Sequence, residues 1–528
     1  MLTLEQMTPE QKLGRVLCCR RLREKDDVDF TVELLKNSAC GAIAMTFDET
    51  LRPGLVKRFR EAADYPVIMV NDMELGYPAS KLPKLPLSTL AAANNPEYVK
   101  TFAAALAREA KAAGFSGCWG PNIDSPFENR PCTFARVAGD SPEAVLDVTR
   151  EIFKTFRSYR FQATAKHFPN DKGMPLDSHM VAPHSVKTKE ELLEYYLVPY
   201  LKLMEEDLVP AIMVGHQVCD RIDPGIPASL SKKVIDIIRE AGFDGVVYSD
   251  SLAMMSIMQT YGEKQAYAMS LMAGCDILLT NYRTPTRKVY EMMLESYREG
   301  AITDERLDEA VRRVMALEQY CAQEPKDPVP VPANVGEILS MAARDCITAD
   351  CREGASTAID PEKKRLFIVE VPQDFLEGEV SEEVAVVAAY NANNSIRAIR
   401  EHFPNSDIEL IPEFPTPVDN QRVLTAASKQ EEVVFVSYCI TAPYMGTDCL
   451  TRRIEAVINA LALPGKLAAL VHFGNPLAVE NLFPIPRKIF GYCSPASQGP
   501  AIEVLAGKYP AKGKNPYARL YEKVCKSK

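Results

Sequence analysis

The stretch AIMVGHQVCDRIDPGIPASLSKKVIDIIREAGFDGVVYSD, Ala211–Asp250, decides the fold. It opens on an apolar run that ends at His216. It passes through an amphipathic stretch, KKVIDIIREAG (Lys232–Gly242), and closes on a second apolar run that ends at Asp250. Uninterrupted apolar runs suit strands buried on both faces, and a helical crossover between them suits parallel pairing.

The same alternation extends in both directions. Upstream lie RVLCC (Arg15–Cys19, the weakest), GAIAMTF (Gly41–Phe47), VIMVN (Val67–Asn71), SGCWGPN (Ser116–Asn122) and ATAKHF (Ala163–Phe168). Downstream lies DILLTN (Asp276–Asn281), and helical patterns such as EYVKTFAAALAREAKAAG (Glu97–Gly114) fill the intervals. Eight runs with helical crossovers predict an α/β chain built on an N-terminal (β/α)8 TIM-type barrel. A doubly wound open sheet is the alternative.

The pattern breaks at AQEPKDPVPVPANVG, Ala322–Gly336, where four prolines remove backbone donors and favour extended chain. Beyond it come RLFIVEV, VAVVAAY, DIELIP, EVVFVSY, KLAALVHFG and KIFGYC, several separated by helical stretches. The expected organisation is a catalytic barrel over 1–325 and a Pro-rich linker with a connecting helix over 326–354. A smaller α/β three-layer sandwich domain then occupies 355–528.

Composition narrows the function. The 528 residues carry 61 basic and 71 acidic side chains, a net charge of -10, against a general nucleic-acid binder. The 14 cysteines form no regular framework, which points to a reducing compartment. The first residues lack a cationic segment followed by an apolar one, and no apolar run approaches roughly 20 residues. The expectation is a cytoplasmic protein with no membrane or nucleic-acid partner.

Ionisable residues collect at the ends of the runs: Asp72, Asp124, Lys166 with His167, His216 and Asp250. In a barrel these ends share the carboxyl-terminal mouth, where chemistry is done. Four of the six histidines (His167, His179, His184 and His216) fall within one short part of the chain. The segment KHFPNDKGMPLDSHM, Lys166–Met180, leaves a run and holds Pro169, Gly173 and Pro175, so it reads as a loop over that mouth. Asp177 and His179 are spaced so that a carboxylate can orient an imidazole for acid/base work, or so that the loop merely forms an Asx turn. Asp250 ends its run as either a nucleophilic carboxylate or a helix N-cap.

These segments together resemble glycoside hydrolase family 3, in its β-N-acetylglucosaminidase branch. The resemblance rests on KHFPN (Lys166–Asn170), DSH (Asp177–His179), GH (Gly215–His216), PASLS (Pro227–Ser231) and GFDGVVYSDSLAM (Gly242–Met254), in that order. NDMELG (Asn71–Gly76), NIDSP (Asn122–Pro126), RVAGDSP (Arg136–Pro142) and HFGNP (His472–Pro476) are similar more loosely. The resemblance implies that Asp250 is the nucleophile of a retaining mechanism, His179 the acid/base and Asp177 its partner. It implies that Asp72, Arg136, Lys166 and His167 hold sugar hydroxyls; His216, at its strand end, is the remaining substrate-binding candidate.

The expected activity is release of terminal β-linked N-acetylglucosamine from a small carbohydrate, with no cofactor and no metal. A glycoside phosphorylase or β-glucosidase of the same family, a metal-dependent barrel hydrolase and a non-catalytic sugar-binding relative are the alternatives. The sequence departs from the family pattern at Asn170–Lys172, where a glycine-rich turn is replaced by NDK, and at Leu75, which replaces a glycine.

Overall fold

The computed structural model describes residues 2–45, 53–124, 136–170, 176–372, 392–439, 444 and 449–526. The chain is α/β and divides into two compact units. The first comprises Met1–Lys81, Val99–Ser125 and Ser141–Ala333, and the second Leu82–Tyr98, Pro126–Asp140 and Asn334–Lys528.

In the first unit, β1 (Cys18–Cys19), β2 (Ala42–Ala44) and β3 (Ile68–Val70) form one parallel sheet. A second parallel sheet contains β4 (Thr164–Phe168), β6 (Ala211–Val214) and β8 (Val246–Ser249), in that order. A small pair, β5 (His184–Ser185) with β7 (Val218–Cys219), was not anticipated from the sequence.

The helix Lys232–Glu240 shows how the sequence builds the crossover from β6 to β8. Ser231 caps it by accepting the Val234 N–H, and Gly242, at φ +95°, turns the chain after its end. Val234, Ile235, Ile237 and Ile238 are buried on its inner side. β6 and β8 are apolar and wholly buried because they are covered on both faces. Their register, Val214 opposite Ser249, makes them end flush. The Asp250 N–H donates to the Val214 carbonyl, so His216 and Asp250 leave the sheet side by side.

Two of the eight expected runs, the fourth and the eighth, are isolated bridges rather than strands. In the run 116–122, Ser116 and Trp119 donate to the Met69 and Asn71 carbonyls. Cys118 and Ile123 donate to Gln162 and Lys166. Gly117 allows this approach: a Cβ there would lie 2.3 Å from Gln162 Cβ and 2.6 Å from its carbonyl oxygen. In the run 276–281, Ile277 accepts from Ser249, while Leu278 exchanges hydrogen bonds with Val16 and Cys18. Alternate residues share one core cluster: Ala42 and Ala44, Ile68 and Val70, Ala211 and Met213, Val246 and Tyr248, Ile277 and Leu279.

The second unit holds a six-stranded sheet in the order β11 (Asp407–Pro412), β10 (Leu366–Val371), β12 (Val433–Tyr438), β13 (Leu467–Phe473), β14 (Arg487–Phe490) and β9 (Thr348–Cys351). All pairings are parallel except that of β9 with β14. β9 lies within the stretch read from the sequence as a connection, and the run VAVVAAY falls outside the described residues. No described helix is long and apolar enough to cross a membrane.

Candidate active site

The site assembles at the carboxyl ends of the first unit's strands. β4 carries a register shift between Lys166 and Phe168. Such a bulge re-aims side chains and disturbs strict alternation, and here two consecutive residues both reach carboxylates beyond neighbouring runs. Lys166 Nζ lies 2.8 Å from Asp72 Oδ1 and 2.7 Å from Glu74 Oε1. Lys166 is buried, whereas the Asp72 side chain is exposed.

His167 is clamped by Asp124. Its backbone N–H donates to Asp124 Oδ1 at 2.8 Å, and its Nδ1 lies 2.9 Å from Oδ2. A carboxylate only accepts, so Nδ1 carries a proton. Nε2 is 3.9 Å from Asp250 Oδ2.

His216 is buried with both ring nitrogens engaged. Nε2 donates to the Ser251 carbonyl at 2.9 Å, and Nδ1 lies 2.7 Å from Ser229 Oγ. Burial pushes its pKa below the ordinary histidine value, although the Asp250 charge opposes this. The ring therefore serves as a bracket that fixes the backbone just after Asp250.

Asp250 caps no helix. The chain bends through the next four residues, and the first helical turn, Met255–Met258, begins after Met254. Asp250 Oδ1 instead accepts the Ser251 N–H at 2.7 Å. Burial alone would raise this carboxyl. The imidazoles of His167 and His216, the Ser251 N–H and the more distant His179 outweigh it and hold Asp250 below the usual carboxylate range. The result is an anion in a largely enclosed position.

The Asp-Ser-His segment proves to be both an Asx turn and a carboxylate–imidazole hydrogen bond. Asp177 Oδ1 accepts the His179 N–H at 2.9 Å and lies 2.7 Å from His179 Nδ1. Asp177 is buried and His179 half-buried. The Met255 N–H donates to the His179 carbonyl at 3.0 Å, and Gln259 Nε2 to the Met180 carbonyl at 3.1 Å. The loop is thus tied to the helical turn that follows Asp250.

Seven of the eight candidates read from the sequence gather here: Asp72, Lys166, His167, Asp177, His179, His216 and Asp250. Arg136 belongs to the second unit and is half-buried. Of the four clustered histidines, His184 goes elsewhere, to Asp220 at 2.8 Å; it is the exposed residue of the otherwise buried β5–β7 pair. Sequence reasoning left Glu74, Ser229 and Arg20 out of the site, and it noted Asp124 only as a run end. Glu74 stands in the same turn as Asp72, and Ser229 lies inside the PASLS motif, so both were within reach. Of the altered NDK turn, Asn170 is described: it adopts φ +72°, a backbone that asparagine tolerates better than most residues, and its Nδ2 donates to the Tyr196 carbonyl at 2.6 Å. Among the described residues no group of three or more His, Cys, Asp or Glu side chains converges at metal-binding spacing.

This arrangement sets an enclosed carboxylate opposite imidazoles, with Lys166, Asp72 and Glu74 at a neighbouring strand end, on an α/β scaffold. The model of the glycosyl hydrolase family 3 N terminal domain matches residues 10–317, and the chain belongs to that family. It is 28% identical over 335 residues to a beta-N-acetylglucosaminidase/beta-glucosidase of Cellulomonas fimi, covering 60% of this chain and 58% of that protein. It is 32% identical over 176 residues to a beta-hexosaminidase of Neisseria meningitidis serogroup C, covering 33% and 48% respectively. The chain thus spans about half the length of the curated relatives it matches. Its fold is similar to that of a glycoside hydrolase family 3 beta-N-acetylglucosaminidase from Paenibacillus sp. str. FPU-7, with a TM-score of 0.81, 23% identity and coverage of 97% and 99% of the two chains.

Proposed function

We propose that the chain is an exo-acting, retaining β-N-acetylglucosaminidase. Asp250 attacks the anomeric carbon to form a covalent glycosyl ester. His179, oriented by Asp177, protonates the leaving oxygen and then activates water from Nε2. Lys166, His167 and Asp72 receive sugar hydroxyls, as does Arg136, and His216 brackets the nucleophile. The observation that carries this reading is the pairing of an enclosed, anionic Asp250 with an Asp177–His179 pair anchored to the same turn.

A (β/α)8 TIM-type barrel over 1–325, with the excursions 82–98 and 126–140, is part of this proposal. Its support is the hydrogen bonding of the runs 116–122 and 276–281 to the strands on either side, together with the shared core of alternate residues. A linker over 326–354 and a three-layer sandwich over 355–528 complete it, supported by the largely parallel second sheet. A cytoplasmic setting is also proposed, supported by free thiols at the 13 described cysteines.

One observation favours a second reading, phosphorolysis. A carboxylate acid/base repels an incoming phosphate, whereas the imidazole of His179 does not. The test is turnover of an aryl β-N-acetylglucosaminide beside the matching β-glucoside, with and without phosphate. Preference for the N-acetyl substrate supports the proposal. Turnover of the glucoside alone refutes the assigned substrate, and a glycosyl phosphate product establishes the second reading.

A further inference from the structure

Arg20 follows β1 and Tyr282 follows the run 276–281, so both stand at the end of the first unit's runs where Asp250 is found. Arg20 Nη1 donates to Ser251 Oγ at 2.7 Å and to the Thr280 carbonyl at 3.1 Å. Ser251 is the residue after Asp250. The Arg20 guanidinium lies over the Tyr282 ring, 5.3 Å from its centroid, and that of Arg283 lies 5.2 Å from the same centroid.

Several enclosed guanidinium groups of this acidic chain meet carboxylates: Arg15 meets Glu318, and Arg239 and Arg306 meet Asp276, whereas Arg60 is satisfied by the Val67 and Gly114 carbonyls and Ser116. Among the described residues, neither Arg20 nor Arg283 makes an ion pair. Arg20 is half-buried and spends Nη1 on fixed protein partners, which leaves the Nε–Nη2 edge unengaged. That edge is the two-pronged donor that matches carboxylate and phosphate oxygens. Glu263, the first residue of the helix Glu263–Ala273, reaches the Tyr282 loop but is already occupied by Tyr267, Asn281 and Thr284.

We propose that Arg20 and Arg283, each within 5.3 Å of the Tyr282 ring centroid, form an anion subsite beside the proposed nucleophile that takes a carboxylate or phosphate group. This rests on the reading of Asp250 given above. The anion is either a group on the leaving part of the substrate or free phosphate. In the second case hydrogen phosphate attacks the anomeric carbon of the glycosyl ester. A new carbon–oxygen bond to phosphate forms, the bond to Asp250 breaks with its electron pair returning to the carboxylate, and the phosphate keeps its proton.

The test combines binding and turnover. Inorganic phosphate is titrated calorimetrically into the wild-type chain, Arg283→Met, Arg20→Met and Arg20→Lys. The same proteins are assayed on aryl β-N-acetylglucosaminides with and without a ring carboxylate, at matched leaving-group strength, in the presence and absence of phosphate. Arg283 is exposed, so its variant reports even if Arg20→Met fails to fold. The expected result is phosphate binding that weakens about tenfold or more in Arg283→Met and Arg20→Met, the usual scale for a charge-assisted contact. Arg20→Lys should fall between these and wild type, because it keeps the charge but loses the fork.

A glycosyl phosphate product identifies free phosphate as the anion. A preference for the carboxylate-bearing substrate that falls in the variants identifies the leaving part. Phosphate binding that weakens in the variants, with no glycoside turned over by wild type, supports the subsite and refutes the proposed function. No phosphate binding and no carboxylate preference in wild type, or both surviving in the two methionine variants, overturns the subsite.

Discussion

Asp177→Asn isolates the electrostatic part of the proposed acid/base. An asparagine oxygen can still accept the His179 N–H, which Asp177 now takes at 2.9 Å, so the turn survives. What is lost is the negative charge 2.7 Å from Nδ1. A hydrogen bond to a charged group is worth roughly 1.5–3 kcal/mol, equivalent to about 10- to 100-fold in rate if all of it is felt in the transition state. The loss should appear in kcat/KM for a glycoside with a poor leaving group and shrink severalfold for an activated aryl glycoside, which hardly needs a proton. His179→Ala should show the same dependence more strongly. In the His179→Ala background, adding Asp177→Asn should cost little more, because the carboxylate then has no ring to orient. Rates of the four proteins on a strong and a weak leaving group decide the matter. Equal losses on both substrates, or fully additive losses, refute the assignment.

Further expectations concern the nucleophile, its neighbours and the second unit. Asp250→Asn should lower kcat by orders of magnitude while leaving the thermal midpoint nearly unchanged; near wild-type turnover would remove Asp250 from the mechanism. Asp124→Asn removes the carboxylate that clamps His167 beside Asp250, so His167 should hold Asp250 down less strongly and the acid limb of kcat/KM should move to higher pH; an unmoved limb contradicts the proposed electrostatics. In the second unit, burial pushes His472 down to about 4. Its folded pKa lies below the ordinary value of 6.5, so stability is fully present above pH 6.5 and is lost as pH falls toward 4. At 1.36 kcal/mol per unit the whole window amounts to about 3 kcal/mol. His472→Gln should flatten this acid slope in urea unfolding of the second unit, and an unchanged slope would assign it to other groups.

The strand ends were legible because a buried apolar run that stops at a charged residue leaves little choice of face. Lys166, His167, His216 and Asp250 could be placed in this way, and the Asp-Ser-His spacing is short enough to act locally. Partners fixed by tertiary structure were not legible. Nothing along the chain says that Asp124 will clamp His167, or that Glu74 will share Lys166 with Asp72. Arg20 was hidden because β1 is only two residues long, too short for its apolar run to stand out. β9 was hidden by a mixed pattern, buried at Thr348 and exposed at Ala349, that suits an edge strand more than a core one. The N-cap reading of Asp250 failed because four residues of bend intervene before the helix.

The tether between the Asp177–His179 loop and the turn after Asp250 couples the proposed acid/base to the proposed nucleophile. Two hydrogen bonds, Met255 N–H to the His179 carbonyl and Gln259 Nε2 to the Met180 carbonyl, join the two segments. At about 1 kcal/mol each, they tie the proposed proton donor to the stretch of chain that carries the proposed nucleophile, so a change that loosens one segment is felt by the other.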